Sequence, residues 1–139
     1  MLNHITIMGR LTRDPELRRT GSGVAVTTFT LAVDRDFGKN ENGEKETDFI
    51  DCVAWRNTGE FVSNYFAKGR MAVVSGRLQI RSWNDKDGNK RRTAEVVADN
   101  VYFGESRNDS QTQSNTQNTD FAMPNNFAPI TTEDEGLPF

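Results

Sequence analysis

Apolar and polar residues alternate with a period of two along five stretches of the chain, which predicts five β-strands. The stretches span residues 2–12, 24–34, 47–56, 71–83 and 90–103. Between the third and the fourth, apolar residues recur four positions apart and predict a short helix over residues 58–68. Thr58 is its predicted N-cap and Gly69 follows its end. Its apolar stripe, which we expect to close the core, consists of Phe61, Val62, Tyr65 and Phe66.

Glycine-centred turns join these strands into hairpins. Asn42-Gly43 lies in the polar run 38–46, between the second and third strands, and Asp87-Gly88 lies between the fourth and fifth. Gly9 interrupts the first strand, which predicts a bulge or a close backbone approach there. In the second strand the apolar parity shifts midway, which predicts a bulge or a strand that serves two sheets.

The third strand shows two contrasting faces. One face carries Phe49, Asp51, Val53 and Trp55, and the other carries Ile50, Cys52 and Ala54. Because a core tolerates an acid poorly, we expect the rings of Phe49 and Trp55 to be displayed on a surface. Displayed rings beside a cation, here Arg56, are what single-stranded nucleic acid requires. A strand buried between two cores remains the alternative interpretation of this stretch alone.

The fourth strand repeats the contrast. Its even positions are apolar and are expected in the core: Ala72, Val74, Leu78 and Ile80, with Gly76 among them. Its odd positions from residue 77 on are Arg77, Gln79, Arg81 and Trp83, which is not a core pattern. An exposed tryptophan is unfavourable without a partner. The returning strand begins with the basic run 90–92, which favours phosphate contact.

Charge is distributed unevenly along the chain of 139 residues, whose net charge is −3. Residues 1–104 hold 16 Lys and Arg against 14 Asp and Glu, a balance of +2. Residues 105–139 hold one arginine against six acids, a balance of −5. The body is therefore mildly basic and the acidity lies in the tail, which is compatible with a nucleic-acid-binding body.

Several function classes find no support in the sequence. The single cysteine, Cys52, excludes an internal disulfide and fits a reducing cytoplasm. We see no signal peptide and no apolar run that could span a membrane. His4 is the only histidine, and no carboxylate cluster or glycine-rich phosphate loop accompanies it. We therefore expect no enzyme, no metal and no other cofactor.

Composition changes at residue 105. Residues 105–119 are almost all polar, and residues 105–132 are expected to form a disordered linker. Residues 133–139 differ, because acids there precede Leu-Pro-Phe. A mobile acidic tail that ends in apolar anchors is typical of a peptide recognised by partner proteins.

The order β-β-β-α-β-β over residues 1–104 is that of the OB-fold, an all-β, five-stranded barrel with one helix between strands three and four. The sequence also resembles the bacterial-type single-stranded DNA-binding proteins, which phages also encode. The resemblance rests on LNHITIMGRLTRDPELR, GVAVTTFTLAVDR, TDFIDCVAWR, YFAKGRMAVVSGRLQIRSW, TAEVVADNV and the terminal DEGLPF.

The resemblance implies three groups of site residues. The base-stacking rings fall on Phe37, Phe49, Trp55 and Trp83, of which Phe37 follows from the resemblance alone. Phosphate contacts are expected from Arg10, Arg35, Arg56, Lys68, Arg77, Arg81, Lys90 and Arg92. Partner proteins are expected to bind Asp134, Glu135, Gly136, Leu137, Pro138 and Phe139.

The resemblance also implies a function. It predicts a homotetramer that binds and protects single-stranded DNA regardless of sequence and recruits replication, recombination and repair proteins through its tail. Such a protein acts on the nucleoid in the cytoplasm, or in the host cytoplasm if a phage encodes it. An RNA-binding or protein-binding OB module remains the alternative.

Four residues depart from the family pattern. Phe37 and Phe49 stand where several members of the family carry tryptophan. Asp51 places an acid on the face of the rings, where a basic or neutral residue is expected, and we expect it to pair with Arg35, Arg77 or Arg81. Gly136 stands where a third consecutive acid is common, which predicts weaker partner binding.

Overall fold

The structure of the protein is a computed structural model that describes residues 1–106. It contains β1 (Ile5–Leu11), β2 (Glu16–Arg19), β3 (Ala25–Lys39), β4 (Lys45–Trp55), α1 (Arg56–Tyr65), β5 (Met71–Asn84) and β6 (Lys90–Phe103). The helix in this part of the chain is too short and too polar to cross a membrane.

One sheet closes into a barrel. Its strands follow the order β1-β5-β6-β4-β3-β2, and an additional pairing between β1 and β3 completes the ring. All pairs are antiparallel except β4 with β6, which run parallel. The predicted OB-fold, with its helix between the third and fourth barrel strands, is confirmed. The short β2 is an additional strand that the sequence did not indicate, because all four of its residues are exposed and show no apolar alternation.

The core lies between the inner faces of the strands and α1. Its largest side chains are Phe29, Leu11, Leu31, Val62, Val74 and Val96, all almost completely buried. β3 keeps one parity from Ala25 to Leu31, and its pairing with β4 is unbroken from Val26 to Asp34, so the predicted bulge midway along residues 24–34 is wrong. The alternative of a strand that serves two sheets is wrong as well, because β3 pairs with β1, β2 and β4 within one sheet. The apparent shift in parity arises at Thr27, a polar residue that points into the core. Its hydroxyl donates to the carbonyl of Gly59 in α1 at 2.7 Å.

Two predicted details of the helix are wrong. It begins at Arg56, directly after Trp55, with no side-chain cap, and the hydroxyl of Thr58 instead donates to the carbonyl of Asp99. The helix ends at Tyr65, and Phe66 already has extended backbone. Tyr65 is consequently 60% exposed rather than in the core.

The remaining aromatic residues of the stripe do pack together. Phe66 is buried and stacks on Phe103 with ring centroids 4.8 Å apart. Phe61 is partly buried and meets both rings edge-on. Edge-to-face and stacked contacts of this kind add to the stabilisation by burial, so this cluster fastens the helix to β6.

Two glycines lie where another backbone passes close by. A Cβ atom on Gly9 would meet the carbonyl oxygen of Ala32 at 2.5 Å, which confirms the predicted close approach. A Cβ atom on Gly76 would lie 2.0 Å from the carbonyl oxygen of Val97. Gly76 stands at a register shift between β5 and β6, so the strand irregularity and the glycine belong together.

The apolar face of β5 leaves the core partway along the strand. Ala72 and Val74 are buried, as predicted, but Leu78 and Ile80 are 44% and 55% exposed. The prediction for these two is wrong because the β5–β6 hairpin extends beyond the barrel. There Ile80 and its cross-strand partner Ala94 are both exposed.

Cys52 offers a test of the core. Burial, and to a smaller extent the charge of Asp51, raises the pKa of its thiol to about 12. A thiol with so high a pKa ionises only well above pH 9, so its thiolate is depleted roughly a thousandfold in the folded protein at pH 8. We expect iodoacetamide to alkylate the native protein at pH 8 at least two orders of magnitude more slowly than the urea-unfolded chain, measured by mass spectrometry; equal rates would contradict the burial.

Candidate nucleic-acid interface

The sheet register aligns the two faces that the sequence singled out. Val53 of β4 pairs with Thr28 of β3 on one side and with Val97 of β6 on the other, and Val97 pairs with Arg77 of β5. Cross-strand partners point to the same side of a sheet. The outer sides of β3, β4, β6 and β5 therefore form one surface, which we call the aromatic face because it carries Phe49, Trp55 and Trp83.

The rings on this face are open to solvent. Phe49, Trp55 and Trp83 are 69%, 44% and 45% exposed. The indole nitrogen of Trp83 donates to the hydroxyl of Thr93 at 2.8 Å, which fixes the ring beside β6. The alternative interpretation, in which residues 47–56 are buried between two cores, is thus wrong for Phe49 and Trp55. Val53, which lies between them on the same face, is buried.

Phe37 lies outside the regular part of the sheet. It is 92% exposed and lies on the β3–β4 hairpin, past the last regular cross-strand pair of Asp34 with Thr47. The pairing of β3 with β4 shifts register there, and the next residue, Gly38, has a positive φ of 118°. The stacking role of Phe37 stays a prediction.

Polar groups form the floor between the rings. Thr30 donates to one carboxylate oxygen of Asp51 at 2.8 Å. Glu95, buried on β6, accepts from the amide of Gln79 at 3.0 Å and lies 3.6 Å from Arg81. The predicted ion pair of Asp51 with an arginine is therefore wrong, since its partner is the neutral hydroxyl of Thr30, which lies directly opposite on β3.

A shallow cavity of about 190 Å³ opens on this floor. Asp51, Glu95 and Arg81 line it together with Arg13. Arg13 belongs to no predicted strand, and no signal in the sequence marks it; the fold brings the loop after β1 to the aromatic face. Arg77 and Arg81, both predicted phosphate contacts, lie on the aromatic face along β5, and both are exposed.

A second basic group surrounds Trp83. Lys90 and Arg92, both predicted contacts, line a cavity of about 490 Å³ with Trp83 at the β5–β6 hairpin. Arg91 lines it too and is the cross-strand partner of Trp83. The sequence alone does not show that Arg91 lies opposite Trp83, because this depends on how β5 and β6 are paired. The guanidinium of Arg91 also donates to Asp85 at 3.0 Å.

Arg35 lies elsewhere. Its guanidinium donates to both oxygens of Asp48, at 2.9 and 2.8 Å, and also pairs with Glu46. Asp48 shares the parity of Ile50, so this contact is on the opposite side of β4 from Phe49. The guanidinium holds the pKa of Asp48 below its usual value, and the same hydrogen bonds raise the pKa of Arg35. Both carboxylates already engage the charge of Arg35.

Arg10 and Lys68 are near one another at the turn after α1. The guanidinium of Arg10 donates to the carbonyl of Gly69 at 3.0 Å and to Glu105 at 3.2 Å. The backbone amide of Lys68 donates to Asp14. Neither residue is brought to the rings by the contacts that the structure shows.

Arg56 occupies the corner between β4 and α1, immediately beyond Trp55. Its φ is +56°, and it is the one non-glycine residue with a positive φ among residues 1–106. This conformation costs an ordinary residue about 1–2 kcal/mol. The exposed guanidinium lines a cavity of about 310 Å³ with Arg19 and Glu60. The residue with the strained backbone therefore also places a cation next to the exposed ring of Trp55.

No set of three or more His, Cys, Asp and Glu side chains that could hold a metal ion occurs within the part of the chain that the structure describes. The arrangement there is one of rings, cations and hydrogen-bonding groups on an open sheet. Barrel and face together define the class of OB-fold proteins that take a nucleic-acid strand on an aromatic surface.

The chain belongs to the Single-strand binding protein family, whose family model matches residues 2–104. It is 51% identical over 127 residues to a single-stranded DNA-binding protein of Halalkalibacterium halodurans, covering 91% of this chain and 75% of that protein. It is 42% identical, over the whole of both chains, to single-stranded DNA-binding protein 3 of Listeria innocua and to single-stranded DNA-binding protein 3 of Streptococcus agalactiae.

Proposed function

We propose that this protein binds single-stranded DNA without regard to sequence, as a binding protein and not an enzyme. The observation that carries the proposal is the alignment of three exposed rings, Phe49, Trp55 and Trp83, on one face with Arg77 and Arg81. Its membership of the Single-strand binding protein family supports the same conclusion.

The mechanism follows from what the face offers. Every base has a π-face, so stacking on Phe49 or Trp55 holds a strand without reading it and contributes about 1–3 kcal/mol per base. The arginines and lysines neutralise phosphates and release counterions, which makes binding weaken as salt rises. With a body charge of only +2, the attraction must come from cations placed locally along the face rather than from the net charge.

Titrations with oligo-dT, duplex DNA and RNA of equal length, each at two salt concentrations, test this proposal. We expect the tightest binding to oligo-dT, a clear loss at the higher salt and weak binding to duplex, whose bases are stacked on each other. Equal or tighter binding to RNA would favour the alternative of an RNA-binding module, and no binding to either strand would favour a protein-binding module.

Arg56 provides a test that separates charge from backbone strain. Arg56→Gly and Arg56→Ala both remove the guanidinium, so both are expected to weaken oligo-dT binding equally and to reduce the salt slope by about 0.7. Only glycine relieves the positive φ, so Arg56→Gly should be more stable than Arg56→Ala by about 1 kcal/mol. Urea unfolding and anisotropy titrations measure the two effects; equal stabilities would contradict the strained backbone.

We further propose that residues 134–139 recruit replication, recombination and repair proteins, joined to the DNA-binding body of residues 1–104 by the polar linker 105–132. These residues lie outside the described part, and the proposal rests on their acids followed by Leu137, Pro138 and Phe139. Deleting residues 134–139 should abolish capture of such partners and leave or raise DNA affinity. A loss of DNA affinity would overturn the proposed division of roles.

The protein is further proposed to act as a homotetramer. Met8, Val73 and Tyr102 are cross-strand neighbours on the outer side of β1, β5 and β6, and Met8 and Tyr102 are each 55% exposed. Leu78 and Ile80 form a second exposed apolar area, on the opposite side of β5. An apolar area of this kind suits contact with another copy. Native mass spectrometry with and without oligo-dT counts the subunits; a monomer in both conditions would contradict it.

We place this activity in the cytoplasm, on the DNA of the cell or of a phage within it. The buried free thiol of Cys52 suits a reducing compartment, and the proposed activity requires that the protein meet DNA.

A further inference from the structure

Asp51 occupies the centre of the aromatic face, between the two rings of its own strand. It is exposed, two residues from Phe49 and four from Trp55 on the same side of β4. At a rise of about 3.3 Å per residue, its carboxylate is roughly 7 Å along the strand from the ring of Phe49. A base stacked on that ring brings its edge toward Asp51.

The carboxylate is held in place and only partly used. Thr30, its cross-strand partner, donates to Oδ1 at 2.8 Å. Among residues 1–106, no hydrogen bond or ion pair is made by Oδ2. The other acid of the cavity, Glu95, is different, because it is buried and engaged by Gln79 and Arg81. Asp51 is therefore the fixed acceptor that remains available on this floor.

A carboxylate accepts hydrogen bonds and donates none. Cytosine presents an N4 amino group, and aspartate accepting from cytosine N4 is an established pairing of side chain and base. Thymine presents the O4 acceptor in the same place, and its N3–H is flanked by carbonyl oxygens on both sides. The same carboxylate therefore attracts the edge of cytosine and repels the edge of thymine.

We propose that Asp51 makes this protein discriminate between pyrimidines, by accepting a hydrogen bond from the amino group of a cytosine stacked beside it. The inference rests on the proposed binding of single-stranded DNA and adds a base preference to it. The cavity of about 190 Å³ beside Asp51 leaves room for the base edge, and Arg81 at its rim balances part of the negative charge near the strand.

A simpler effect would be repulsion of phosphates by Asp51, which would weaken binding to every base alike. The ratio of affinities for oligo-dC and oligo-dT separates the two, because both are flexible pyrimidine strands with the same backbone charge. Asp51→Asn is the decisive variant: its Oδ1 still accepts from Thr30, while its amide donates and so favours thymine O4 over the cytosine amino group.

The experiment measures anisotropy of fluorescein-labelled oligo-dC and oligo-dT of equal length at pH 8, where cytosine is neutral. The Kd ratio (dT over dC) is expected to fall about tenfold in Asp51→Asn, since a hydrogen bond to a charged acceptor is stronger than one between neutral groups. Glu60→Gln, which makes the same charge change on α1, should leave the ratio unchanged. Thr30→Val, which frees the carboxylate to move, should reduce the ratio less than Asp51→Asn.

Each outcome is informative. An equal gain in affinity for both strands in Asp51→Asn would overturn the inference and leave Asp51 as a source of repulsion, with the proposed function intact. A ratio unaffected by Asp51→Asn would overturn it as well. Failure of the unaltered protein to bind oligo-dT at all would overturn the proposed function, and the inference with it.

Discussion

Replacing Phe49 and Trp55 together by alanine is expected to weaken oligo-dT binding by at least about thirtyfold. Each ring contributes about 1–3 kcal/mol of stacking, and 1.4 kcal/mol corresponds to a tenfold change in Kd. The two rings stand 69% and 44% exposed on the aromatic face, and neither belongs to the buried core. The effect should thus fall on binding and spare the fold.

The measurement is a titration of labelled oligo-dT by anisotropy, with thermal unfolding of each variant alongside. Tyr65→Ala is the matched control, because Tyr65 is an aromatic residue with 60% exposure on α1. Its replacement should leave Kd unchanged. An affinity of the Phe49→Ala/Trp55→Ala variant within threefold of the unaltered protein would refute stacking as the source of binding.

Gly76→Ala is expected to destabilise the fold by about 3 kcal/mol or more. The added Cβ atom would lie 2.0 Å from the carbonyl oxygen of Val97, a backbone atom that cannot turn aside as a flexible side chain can. Relief requires β5 and β6 to move apart at their register shift, where the two strands hold the core residues Val74 and Val96. We expect Tm to fall by about 15 °C.

Gly21→Ala is the control for the loss of glycine itself. Gly21 lies in the turn between β2 and β3, and a Cβ atom there meets nothing within 4 Å. Its replacement should be neutral or slightly stabilising, by less than about 1 kcal/mol. Urea and thermal unfolding of both variants decide the matter; similar stabilities would show that β5 and β6 separate at no cost.

The sequence was most informative about features that depend only on residues close together in the chain. Strand parity alone put Phe49 and Trp55 on one side of residues 47–56, since a period of two needs only neighbouring residues. The isolated Trp83 on a basic face was likewise predicted to be exposed, and it is. The fold followed from the order of elements, because few architectures accommodate five strands with one helix in that position.

What the sequence could not supply was register and length in three dimensions. That the faces of Trp55 and Trp83 coincide depends on the pairing of Val53, Val97 and Arg77, which lie far apart in the chain. The exposure of Ile80 depends on where the barrel ends along β5, and the alternation of apolar and polar residues does not show this. Arg35 matched the expected pattern of a phosphate contact, but its carboxylate partners became apparent only when β3 and β4 were paired.

Sheet order also constrains how the chain comes to be folded during synthesis. β6, the last strand among residues 1–106, lies between β4 and β5, and its parallel pairing with β4 joins the two hairpins. A nascent chain that ends before Lys90 would therefore have an open sheet, with the edges of β4 and β5 both exposed to pairing with other chains. Closure of the barrel must therefore await release of β6 from the ribosome.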